Sequence, residues 1–255
     1  MIDHKLYHLI LNRLVRVCHT KELINCHGAI NCLVGLAEII PPRYFAIHYF
    51  DILQSVFNVI QKIPEVIQLP VMDKCLELLR IMAGFYPYLQ EQNMGLYHIC
   101  DSLVNELLSA NENQHEAAKF FLKQISKQTG TKFPSMFFET DRGINRYNFQ
   151  RTEGETQIPM SKGDLLNENL PISKILLLQD KIFSEIHTQK IQKEQIRYLY
   201  MLRNALDTLT LLCSERVLPY KFVDDREFTL TEDFKKIINL FETIITENDK
   251  IYKPY

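Results

Sequence analysis

CLVGLAEIIP, residues Cys32–Pro41, and LLRIMAGFYP, residues Leu78–Pro87, lie on each other at an offset of 46. Leu33 falls on Leu79, Leu36 on Met82, Ala37 on Ala83 and Ile39 on Phe85, and both stretches end at a proline, which cannot continue a helix. Apolar residues recur in each at three- and four-residue steps, the spacing of one helix face. Outward from this pair, prolines and polar gaps divide the first half into six segments of helical length, at about 3–18, 22–40, 43–62, 69–86, 93–110 and 113–128. The third and fifth correspond less closely, HYFDIL (His48–Leu53) facing HICDSL (His98–Leu103) at an offset of 50.

A helical hairpin recurring at this period resembles HEAT and armadillo repeats, over roughly the first 128 residues. Each pair carries apolar residues on more than one face and buries them only by stacking on the next pair. The resemblance implies an all-α fold, a right-handed α-solenoid of HEAT/armadillo-like hairpins; an irregular helical bundle is the alternative.

Residues 129–171 break the pattern. They hold four of the eight glycines and three of the ten prolines, which argues against helix. Yet Phe133, Phe137, Phe138, Tyr147 and Phe149 are too many aromatic residues for a solvated linker. FPSMFFE and INRYNFQ, around the turn residues TDRG, suggest a short irregular or β-hairpin insertion that either caps the solenoid or presents exposed anchors, Phe137, Phe138 and Tyr147 among them. A polar loop is expected from Arg151 to Asn169. Helices resume in a C-terminal region, 172–255, expected to pack on the same solenoid, at 172–187, 190–215 and about 231–248.

The chain has a length suited to one large domain or two small ones, with enough apolar and aromatic residues to fill a core. No apolar stretch approaches the roughly 20 residues that span a bilayer, and the first residues carry charge instead of a signal core. Six scattered cysteines fit reduced thiols, so a soluble nuclear or cytoplasmic protein is expected. The net charge is −2, and residues 1–128 hold 11 basic and 12 acidic side chains while 172–255 hold 13 of each. Without a concentration of Lys and Arg, direct nucleic-acid binding is not expected.

CHTKELINCH, Cys18–His27, is the segment nearest to a metal motif, because structural zinc takes four thiolate or imidazole ligands. Adjacent residues in each Cys-His pair point in different directions, however, and Cys26 continues into Ala29, Ile30, Leu33 and Leu36 at helical spacing. Core cysteines are expected, with a metal protein or enzyme built on Cys18, His19, Cys26 and His27 as the alternative. Phosphate-loop, dinucleotide, zinc-protease, nucleophile-elbow and kinase motifs are all missing. His48 with Asp51 and His98 with Asp101 share a helix face at a spacing of three, and a surface hydrogen bond is the expectation for each. Lys190, Lys193 and Arg197 form a basic stripe on the longest helix that suits an acidic or phosphorylated partner; weak nucleic-acid binding through 190–203 is the alternative there.

CLVGLAEIIPPRYF, the helical pair after it and RYLYMLRNALDTLTLLC, with its Leu202-Arg203 step, resemble the C-terminal helical-repeat region of ATR-interacting proteins. The resemblance implies an adaptor that partners a large checkpoint kinase in DNA-damage signalling. The expected function is a non-catalytic scaffold subunit that binds another protein, with no cofactor, no membrane and no small-molecule substrate.

Overall fold

The computed structural model describes residues 4–64, 69–138, 171–188 and 192–214. Helix accounts for 84% of this part and no strand occurs among the described residues, so the fold class is all-α. The helices are α1 (His4–Cys18), α2 (Leu23–Ile39), α3 (Pro42–Ile47), α4 (Tyr49–Gln61), α5 (Pro70–Ala83), α6 (Tyr86–Gln90), α7 (Leu96–Leu107), α8 (Glu112–Thr129), α9 (Pro171–Thr188) and α10 (Gln192–Ser214). None is long and apolar enough to cross a membrane.

Local chemistry sets the ends. Pro42 and Pro70 open α3 and α5, where a missing N–H costs nothing. Asn111 caps α8 by accepting from Gln114 N–H at 3.1 Å, and Gly130, at φ 68°, closes it in the left-handed conformation that glycine adopts freely. Two expected helices are shorter. The segment 43–62 breaks at His48, whose backbone leaves helical geometry (φ −100°, ψ 13°). The segment 69–86 ends at Ala83, because Pro87 has no N–H to bond Ala83 O and its ring clashes with that carbonyl, so a new short helix starts at Tyr86. This end also explains the one failed equivalence: Ile39 is 74% exposed while Phe85, beyond the end of α5, turns inward and is 7% exposed.

Packing follows the chain in pairs, α1 with α2, α4 with α5, α7 with α8 and α9 with α10. Across pairs, α2 lies against α5 and α5 against α8, forming one row, while α1 packs on α4 and α9 on α7. The 46-residue offset runs through the whole row. Leu33, Leu79 and Ile125 are all fully buried, and in the companion helices Leu11, Phe57 and Leu103 are buried at the same step. Between the companions α4 and α7 an offset of 50 also sets buried residues on buried ones, Tyr49 on Ile99, Leu53 on Leu103 and Phe57 on Leu107.

The expected β-hairpin is corrected. Phe133–Phe138 is a 3-10 helix touching α7, α8, α9 and α10. Pro134 fixes φ near −65° and has no N–H for a strand ladder, which suits a helical turn. Phe133 and Phe137 face the same way with ring centroids 5.3 Å apart, both buried, so this segment is packed among those four helices. The second strand and the loop 151–169 lie outside the described residues.

Leu33→Ala and Leu79→Ala should each cost about 2–5 kcal/mol in chemical denaturation, whereas a loss below about 0.5 kcal/mol at both would refute the register. Tyr49 is fully buried and its hydroxyl finds no hydrogen-bond partner among the described residues. Removing an unsatisfied buried donor relieves its desolvation cost, so Tyr49→Phe should leave stability unchanged or raise it by about 1 kcal/mol in the same assay.

Candidate docking cleft between α8 and α10

The Cys-His segment is a helix cap. Asn58 of α4 and Lys62, the residue that ends it, reach the carbonyl end of α1: Lys62 Nζ donates to Cys18 O (2.8 Å) and Thr20 O (2.7 Å), and Asn58 Nδ2 donates to Cys18 O (3.1 Å). Cys26 Sγ points at the same carbonyls, 3.4 Å from Cys18 O and 3.5 Å from Thr20 O. His19 turns away, its ring nitrogens lying 2.9 Å from Asn58 Nδ2 and 3.2 Å from Ser55 Oγ. Burial, reinforced by Cys26 and opposed by Lys62, pushes the Cys18 thiol up to about 12, and burial raises Cys75 as well. A thiol held protonated is a poor nucleophile and metal ligand. Cys18, His19, Cys26 and His27 form no convergent donor set, and Cys18 and Cys26 are core residues as expected.

The two His-Asp pairs are engaged elsewhere. His48 Nε2 lies 2.7 Å from His8 Nδ1, His98 Nδ1 accepts from Gly95 N–H at 3.2 Å, and Asp101 pairs with Lys174 of α9. Of the basic stripe, Arg197 is exposed and 3.7 Å from Glu194, Lys193 lies near the start of α10, and Lys190 is outside the described residues. Among the aromatic candidates, Phe137 is fully buried, which speaks against the exposed-anchor alternative at that residue; Phe138 ends the 3-10 helix, and Tyr147 is outside the described residues.

The densest polar contacts join α8 to α10. Arg203 pairs with Glu112, and Asn204 Nδ2 donates to Ser109 O at 2.7 Å. His115, 1% exposed, places Nδ1 2.6 Å from Leu107 O and Nε2 3.1 Å from Asp207 Oδ2. Lys119 Nζ lies 2.7 Å from Asp207 and 2.9 Å from Glu116. Burial alone would raise the Asp207 carboxyl, but hydrogen bonds from Lys119 and His115 outweigh it and hold the group below the usual range. His115, Glu116 and Asp207 are the one group of possible metal ligands that converges among the described residues, with donor atoms within 4.8 Å. The Lys119 ammonium already supplies positive charge there, so the group is an ion network fastening α10 to α8.

Beside this network an open cleft of about 460 Å³ continues into one of about 200 Å³. Lys123 and Leu211 line both, Phe120, Phe133 and Lys127 the larger, and Lys119 the smaller. Lys119, Lys123 and Lys127 follow one another at four-residue steps along α8. That spacing was legible in KFFLKQISK but disappears when charge is summed over long blocks. The His115–Asp207 contact, 92 residues apart, left no trace in the sequence.

Comparison of the chain with protein-family models, with curated proteins and with solved structures finds no match.

Burial, and then the neighbouring His8, push His48 below its ordinary value of 6.5, with Asp51 pulling the other way. The fold therefore prefers the neutral ring: its contribution is complete above about pH 6.5 and lost as the pH falls below it. Thermal melts from about pH 7.5 to about pH 5 should show a fall in Tm that His48→Gln reduces. An equal fall in both proteins would contradict this assignment.

Proposed function

We propose that the chain is a non-catalytic adaptor or scaffold subunit, a HEAT/armadillo-like solenoid that binds another protein along its helical surface. The observation that carries this reading is the recurrence of Leu33, Leu79 and Ile125 at one position of three successive hairpins, an arrangement that stacks repeats and leaves long helical faces for partners. The non-catalytic reading draws support from buried, protonated thiols and from histidines engaged in structural contacts. The sequence resemblance to ATR-interacting proteins supports a large kinase of that type as the partner, and a nuclear or cytoplasmic setting.

Affinity purification of the tagged protein from cells, with mass spectrometry and metal analysis of one eluate, tests this reading. A large stoichiometric partner and no metal are the expected result. Protein that emerges alone, carrying stoichiometric zinc after dialysis, would overturn it.

A further inference from the structure

Residues 117–132, AAKFFLKQISKQTGTK, contain four lysines and no acid. Lys119 is spent on Asp207 and Glu116, but Lys123 and Lys127 are exposed and make no ion pair among the described residues. Both stand at the rim of the larger cleft, over apolar groups from three elements: Phe120 of α8, Phe133 of the 3-10 helix and Leu211 of α10. Two ammonium groups without a counter-charge among the described residues, above an apolar floor, select a ligand that offers carboxylates and a large apolar side chain together. Phosphate-backbone recognition needs the lysines alone and leaves the floor unexplained. The position is also fixed, because the ion network holds α10 against α8 and the Phe133–Phe138 turn closes one end.

We propose that this cleft docks an acidic segment of a partner protein, whose apolar side chain enters between Phe120, Phe133 and Leu211 while its carboxylates meet Lys123 and Lys127. The inference rests on the adaptor reading and names the chemistry of its partner. Charges at the rim act mainly on encounter and selectivity, and the apolar anchor holds the complex.

Fluorescence anisotropy of the full chain with a short fluorescein-labelled peptide, a central Phe-Leu pair flanked by Glu and Asp, is the test. Saturable binding should weaken about tenfold or more in the Lys123→Glu, Lys127→Glu double variant and weaken with added salt. It should be unchanged in Lys21→Glu, and a peptide with Ser in place of Phe-Leu should lose it. Both lysines are exposed, so circular dichroism of the double variant should match the parent. Three outcomes overturn the proposal: full binding by the double variant; equal binding of the Ser peptide, which would be charge attraction alone; or tighter binding of a single-stranded oligonucleotide through the same lysines. Purification from cells separates this proposal from the adaptor reading. A stoichiometric partner retained by the double variant would leave the adaptor role standing and refute the cleft. No partner for the parent protein, with peptide binding as stated, would do the reverse.

Discussion

Everything in this molecule depends on the seam in which α2, α5 and α8 press on one another. A single helical hairpin here cannot bury what it carries: α2 has one charged residue, Glu38, in 17, and is apolar around most of its circumference. Leu33, Leu79 and Ile125 reach zero exposure because each hairpin is covered by its neighbour, and the stabilisation is therefore shared between hairpins. The companion residues Leu11, Phe57 and Leu103 repeat the arrangement one layer over. Position along the chain thus matters more than any single contact, and α5, with a neighbour on both sides, is the element whose loss exposes most.

Polar chemistry fixes how far one hairpin may slide on the next. The last carbonyls of a helix have no partner within it, and leaving them buried and unpaired is costly. In three successive units a side chain from a later hairpin bonds a carbonyl at the helix end or just beyond it. Lys62 and Asn58 reach Cys18 and Thr20, Asn113 donates to Ile63 O at 3.3 Å, and Asn204 donates to Ser109 O. The last of these, with the His115–Asp207–Lys119 network, sets α10 beside α8 and so creates the lysine-rimmed cleft. The feature offered to a partner is in this sense a by-product of the stitching that holds the stack in register.

What the sequence disclosed and what it concealed follow the range of the interactions. Periodicity is local, so the six early helical segments were legible, although the structure divides them into eight helices, as was the offset of 46 from the two proline-terminated stretches. Core cysteines at 18 and 26 were legible for the same reason. Ends decided by tertiary context were not: the break at His48 accompanies burial of its ring against His8, which comes from α1. The aromatic run from Phe133 reads as a strand in isolation and becomes a 3-10 turn because four helices converge on it and Pro134 withholds a donor. At the cleft, the lysine spacing was written in the chain, but its meaning required Phe133 and Leu211 to arrive from elsewhere. The basic residues singled out on the later helix had the composition of a docking stripe, yet Arg197 faces Glu194 one turn away.

The central claim is that the hairpins are energetically interdependent through the α2–α5–α8 row. Hydrogen exchange of the intact chain, read by mass spectrometry in the parent protein and in a Leu79→Ala variant, tests it most directly. The account predicts that truncating this one residue of α5 accelerates exchange in α2 and α8 together with α5. Acceleration confined to α5, with α2 and α8 protected as in the parent, would contradict it.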